Sequence, residues 1–219
     1  MKKIITFRTY FAIFLTKRYI MLENKFYTLC QKFTTDSKCI ETLWSEISIS
    51  YSTESRYYHT LSHLETIYNQ LKAFQLTPAI EFSIFYHDVV YNTQERDNEE
   101  KSAVFAKKRL KELGVAHEVI KKVFELIMET KKHEASSFHN ALFLDADISI
   151  LGSKLEIYKI YMQNIRKEYS IYSDEEYKEG RKEVLKRFLK KERLYLSNYF
   201  YNLYEEKARS NIKYELTSL

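Results

Sequence analysis

Only three glycines and one proline stand among the 219 residues of this chain, and that scarcity constrains its fold more than any other feature. Strand-rich architectures use glycine for positive φ and proline for fixed turns. A chain this poor in both reads as helices joined by short connections. Apolar residues make up 45% of it, enough for a buried core, and the length fits one large domain or two small ones. Nineteen tyrosines and fourteen phenylalanines predict a core of large aromatic rings, with many hydroxyls near its rim. The expected class is all-α.

Thirty-five basic residues against thirty acidic ones leave a formal charge of +5. This modest excess favours small anions such as nucleotides and falls short of the basic face of a nucleic-acid binder, so stable nucleic-acid binding is not expected. Cys30 and Cys39 form no repeated metal pattern and need no disulfide, which points to a reducing cytoplasm. The opening "MKKIITFRTYFAIFL" imitates a signal peptide, but Arg8 interrupts its apolar run and no small-residue cleavage site follows. It is also shorter than the roughly 20 apolar residues that span a bilayer, so no transmembrane segment is expected. Met21 stands directly before "LENKFYTLCQKF", an amphipathic helical pattern. Residues 1–20 therefore read as a dispensable extension, with a membrane-surface anchor as the rival reading, and residues 21–219 as one domain.

Helical signals then recur with no linker between them. "TPAIEFSIFYHDVVY" (77–91) carries Pro78 in its first turn, where a missing N–H costs little, and its apolar residues keep helical spacing. "RDNEEKSAVFAKKRLKELG" (96–114) opens with Asp97 and Glu100 as a capping box and closes at Gly114. "HEVIKKVFELIMETKKH" (117–133) is amphipathic and ends in a basic cluster. The apolar "ALFLDADISILG" carries two aspartates, and three further helices follow, the middle one capped by Ser173 and Glu176.

Chemistry concentrates at a few of these positions. If their segment is helical, His59 and His63, four apart, project to the same side and can bind a metal, divide the roles of ligand and acid, or fill a polar core. His87-Asp88 offers an imidazole nitrogen and a carboxylate oxygen to one point, ligands suited to Zn, Mn, Fe, Co or Mg. A buried aspartate beside a histidine is rare as plain core. A further aspartate would complete a two-His, two-Asp site. Asp145 and Asp147 both offer one, but residues two apart on a helix face nearly opposite ways, so one of them is expected to reach the metal.

Four stretches in order carry a family resemblance: Arg56-Tyr57-Tyr58-His59 with His63, His87 through Tyr91, Asn98 through Ala103, and Leu144 through Gly152. Together they resemble the HD superfamily of metal-dependent phosphohydrolases, and more narrowly a bacterial group described as predicted HD-superfamily phosphohydrolases. The resemblance runs from about Leu22 to the C-terminus, "IRKEY" and "EEKARSN" included. It implies a single-domain, HD-type helical bundle with a metal cleft between its helices. "YHTLSH" is similar to the Y-H-N-x-x-H-A stretch of cyclic-nucleotide phosphodiesterases, which makes His63 a metal ligand and His59 the catalytic acid. An A-D-x-L context in nucleotide-hydrolysing relatives selects Asp147 over Asp145. The implied ligand set is His63, His87, Asp88 and Asp147, with Asp88 also counted as catalytic. Stringent-response hydrolases read H-D-V-V-E-D-T where this chain has "HDVVYNT"; Tyr91 and Asn92 replace their catalytic Glu-Asp pair, which speaks against alarmone hydrolysis.

The expected activity is hydrolysis of a phosphate ester in a nucleotide or other small phosphorylated metabolite. A bound divalent ion would acidify water from pKa ~15.7 towards ~7, and His59 would protonate the leaving oxygen. Several residues keep two readings. Arg56 clamps a phosphate or pairs with a carboxylate. His133 joins a second metal site bridged by Asp88, binds phosphate with Lys131 and Lys132, or ends a helix in solvent. Asp145 belongs to that second site or caps a helix. Glu99 and Glu100 read as first-turn acids, and the aromatic residues as core. A non-catalytic nucleotide sensor and a di-iron oxygenase of the same fold remain as rivals, and a homodimer stays open.

Overall fold

The computed structural model describes residues 19–219; the readings placed on residues 1–18 lie outside them. The described chain is all-helical, with ten α-helices, one short 3-10 turn and no strand among the described residues. In order these are α1 (Ile20–Cys30), α2 (Ser37–Ser50), α3 (Leu61–Leu71), α4 (Pro78–Tyr86), α5 (Asn98–Glu112), α6 (His117–Thr130), α7 (Phe138–Asp147), the 3-10 turn Ser149–Gly152, α8 (Leu155–Glu168), α9 (Asp174–Lys190) and α10 (Asn198–Ser218). None is long and apolar enough to cross a membrane.

Helix α4 is the axis of the packing. Pro78 opens it, Thr77 caps it by accepting from the amide of Ile80, and seven of its nine residues are buried. A helix apolar on every side has to be enclosed, and α1, α3, α5, α6 and α7 all pack against this one. Phe85 meets Phe26 edge-on at 5.0 Å and lies 5.5 Å from Tyr68 and 6.3 Å from Trp44. Each such ring contributes roughly 1.5–3 kcal/mol by leaving water. The enclosed helix therefore serves as a rigid post, and its C-terminal end delivers His87 and Asp88.

The helical pattern over 77–91 stops early, at Tyr86. Beyond it one last turn closes, with the amide of Val89 donating to the carbonyl of Tyr86 at 3.2 Å, and side chains bond the rest of the backbone. Arg56 donates to the carbonyls of Asp88 (2.7 Å) and Val89 (3.1 Å), and Ser102 Oγ bonds both the amide and the carbonyl of Val90. The expected box at α5 is also different: Asp97 occupies the N-cap position without capping, and its carboxylate instead pairs with Lys101 at 3.2 Å. Ser173 and Glu176 do form a reciprocal capping box on α9. Gly114 ends the α5 segment at φ 81°, where a side chain would be strained. At Gly152 space decides instead, because an added Cβ would collide with Tyr204 of α10. This close approach seats α10 on the turn that follows α7.

Candidate metal centre

Three helix ends converge on one point. His63 lies in the first turn of α3, whose apolar stripe of Leu61, Leu64, Ile67 and Leu71 faces the core. His87 is the C-cap of α4, and Asp147 is the last residue of α7. His87 Nδ1 donates to the carbonyl of Ile84 at 3.1 Å, which leaves Nε2 facing inward, where it would offer a lone pair to a bound ion. The amide of Asp88 donates to the Tyr51 hydroxyl at 3.2 Å, holding the carboxylate beside that nitrogen.

The spacing of these atoms matches a coordination polyhedron. His63 Nε2 lies 3.3 Å from His87 Nε2, and His87 Nε2 lies 3.2 Å from Asp88 Oδ2. Asp147 Oδ1 sits 2.9 Å from His63 Nε2 and 3.4 Å from His87 Nε2. Ligands about 2.1 Å from a common centre stand roughly 3.0 Å apart at an octahedral edge and roughly 3.4 Å apart at a tetrahedral one. His63, His87 and Asp88 form the one group of three or more such donors among the described residues whose ligand atoms all lie within 4.8 Å of one another. Asp147 lies outside that group and contacts both imidazoles. Two imidazole nitrogens and two carboxylate oxygens suit a divalent first-row ion or Mg. Nδ1 of His63 is buried with no hydrogen-bond partner among the described residues, so its ring is held by Nε2 and by packing 5.0 Å from the Tyr58 ring.

The charges agree with that donor set. Burial alone would lower His87, but Asp88 and Asp147 overcome it and raise the imidazole well above its ordinary range. Burial would likewise raise Asp88 and Asp147, yet the neighbouring histidines pull both far below the usual carboxylate range. His63 is lowered by burial, which Asp147 only partly offsets. The cluster thus favours positive charge at its centre.

His59 stands at the rim of this group, with Nε2 3.9 Å from Asp88 Oδ2. Its other nitrogen is committed: Nδ1 lies 2.7 Å from Oε2 of Glu168, the last residue of α8. The remaining oxygen of Glu168 accepts three consecutive amides, from Tyr57 (2.8 Å), Tyr58 (2.7 Å) and His59 (2.9 Å), and Tyr91 donates its hydroxyl to Oε2 at 3.1 Å. Burial would raise this carboxyl, but the hydrogen bond and charge of His59, with the backbone amides, bring it down to about 2. His59 itself is raised, because Glu168 outweighs the burial that would lower it. Residue typing alone missed Glu168; the one signal was its place in "IRKEY".

The depressed Glu168 makes a prediction about acid stability. Its folded value lies below the unfolded one of ~4.3, so the stabilisation, about 3 kcal/mol, is fully present above about pH 5. It is lost as pH falls towards about 2. The difference in urea midpoint between the wild-type chain and Glu168→Gln should shrink across that window. A difference that does not vary with pH would refute the assignment.

No family model, no curated protein and no solved structure matches the chain. The site is therefore read from its own geometry. A cleft of about 230 Å³ opens over it, lined by His59, Asp88 and Asp147 together with Tyr58, Tyr91, Tyr161 and Tyr169. Tyr161 belongs to the core, and Tyr58 and Tyr169 pack against it, so these three line the cleft from the core side; Tyr91 stands outside the core. Glu99 also faces it, its carboxyl raised by burial; the first-turn reading of this residue did not place it there.

Other expected site residues have structural work. Arg56 is buried, stacked 4.8 Å from the Tyr51 ring, and its guanidinium serves the carbonyls of His59, Asp88 and Val89. It buttresses the two ligand-bearing loops, so neither phosphate clamp nor carboxylate pair describes it. Lys131 donates to Glu100 at 2.5 Å and to the carbonyl of Arg96 at 2.8 Å, outside the metal cleft.

The expected second metal or phosphate site at His133 and Asp145 is corrected in the same way. The two do meet, Nε2 to Oδ1 at 3.5 Å. Asp145 is fully buried and already accepts from the amides of Leu196 and Ser197 (2.7 Å each) and from the Ser197 hydroxyl (2.6 Å). His133 Nε2 donates to the carbonyl of Leu194 at 2.9 Å. The pair ties α7 to the start of α10. Asp145→Ala should therefore destabilise the chain by about 3 kcal/mol, by orphaning buried donors, and should leave metal content unchanged. Parallel denaturation and elemental analysis would check both, and loss of the ion would restore the metal reading.

Proposed function

We propose that this chain is a metal-dependent phosphohydrolase of the HD type, acting on a phosphate ester in a nucleotide or another small phosphorylated metabolite. The observation that carries the reading is the His63, His87 and Asp88 group, with Asp147 against both imidazoles, beside an anchored histidine at the mouth of the same cleft. His63, His87, Asp88 and Asp147 would hold a divalent ion. When bound, such an ion acidifies water and neutralises charge on a phosphoryl group.

The chain's own residues supply the rest. Glu168 fixes the His59 ring and keeps the proton available at Nε2, on the side of Asp88 and the cleft. A proton held there can pass to the leaving oxygen as the P–O bond breaks, a contribution of roughly 10²–10⁴-fold. Tyr91 packs 4.3 Å from the His59 ring and limits its swing. This proton-donor arrangement favours a hydrolase over a nucleotide sensor, which has no need of an oriented acid. The oxygenase reading needs donors for a second iron, and those of His133 and Asp145 are occupied by the protein itself.

A panel of phosphorylated metabolites, offered with each of Mn, Fe, Co, Zn and Mg in turn, tests the proposal. Phosphate release that requires one of these ions is the expected result. An occupied metal site without turnover of any ester would favour the sensor.

A further inference from the structure

A second cavity, of about 390 Å³, abuts the metal cleft: Thr130, Ile148 and Phe188 line both. Its character is opposite. Asp88, Glu99 and Asp147 face the metal cleft, whereas this groove carries Lys131, Lys132, Arg187 and Lys191, with Glu134 as its one acid, on apolar walls that include Ile148, Val184 and Phe188. Lys132 and Arg187 are exposed and make no ion pair among the described residues.

The backbone that presents them is held in an uncommon form. His133, directly after the two lysines, adopts φ 53°, a conformation that a non-glycine residue rarely takes without compensation. Its ring is bonded to the Leu194 carbonyl, and the Lys191 amine caps the carbonyls of Lys132 (2.9 Å) and His133 (3.2 Å). This turn ends α6 and sets Lys132 on the groove wall, which α9 completes with Arg187.

Resting on the phosphohydrolase reading, we infer that this groove is a second anion subsite, and that the substrate class is a phosphoanhydride chain. One phosphate sits at the metal donors; a phosphate further along the chain reaches past Phe188 to Lys132 and Arg187. Guanidinium and ammonium donors suit phosphate oxygens, and a monophosphate would leave them unused.

The test is calorimetric titration of the metal-loaded protein with orthophosphate, tripolyphosphate, ATP and a short oligonucleotide, for the wild type and for Lys132→Gln/Arg187→Gln. Tripolyphosphate should bind the wild type at least about tenfold more tightly than orthophosphate, and the double substitution should erase that advantage while leaving orthophosphate unchanged. ATP matching or exceeding tripolyphosphate identifies a nucleotide source of the chain; ATP binding more weakly identifies an inorganic one. An advantage that survives the substitutions, no advantage at all, or a preference for the oligonucleotide would overturn the subsite. The two readings fail separately. Tripolyphosphate binding that depends on Lys132 and Arg187 in a protein that retains no metal would keep the groove and remove the metal centre. Metal-dependent hydrolysis with an unaltered tripolyphosphate affinity would do the reverse.

Discussion

On the proposed function, Asp88→Ala protein is expected to lose a bound divalent ion on dialysis and, with it, hydrolysis of phosphate esters by several orders of magnitude. The substitution removes an anionic donor 3.2 Å from His87 Nε2 and leaves two imidazoles and Asp147. Three donors with one carboxylate compensate a dication less well than four with two. The fold should survive, because what Asp88 gives the scaffold comes from its backbone: the amide bonded to Tyr51 and the carbonyl bonded to Arg56. Elemental analysis and far-ultraviolet circular dichroism separate the two effects. A second readout is thermal: a chelator should lower the wild-type Tm, by linkage to the bound ion, and should leave the variant's Tm where it was. Full metal occupancy in Asp88→Ala with unchanged helix content would remove the residue from the ligand set.

The sequence discloses this molecule unevenly, and the pattern has a physical basis. Helical class was legible because the scarcity of glycine and proline is a property of the whole chain. The divergence of Asp145 and Asp147 was legible because it follows from helix period alone: one turns towards α10, the other towards the histidines. What Asp145 does there was not legible, since its partners Leu196 and Ser197 lie 51 and 52 residues away. Glu168 is the clearest case. It stands among charged neighbours on an amphipathic helix, like any solvated acid, and only tertiary packing brings it to amides 109 to 111 residues away. Arg56 fails for the same reason, because a guanidinium that serves carbonyls at Asp88 and Val89 has no local signature. Local periodicity reports which face a residue occupies, and long-range hydrogen bonding decides what it does there.

Glu168 also changes how the two histidines should fail when each is replaced. His63→Ala removes a donor that touches both His87 and Asp147, so metal and activity should go together for every ester. His59→Ala leaves all four donors in place and removes only the ring held between Glu168 and the cleft. Its metal content should match the wild type. Loss of kcat/KM should then depend on the leaving group. An unactivated alkyl or nucleoside ester needs its oxygen protonated, and a loss of roughly 10²–10⁴-fold is expected. A nitrophenyl ester leaves as a stabilised anion, and its loss should stay within about tenfold. Glu168→Gln should fall between the two, keeping the ring in place but weakening the charge that raises His59. Equal losses on both esters, with metal retained, would make His59 a positioning residue rather than the acid. Loss of metal from His59→Ala would make it a ligand, and the 3.9 Å gap to Asp88 would then have to close when the ion binds.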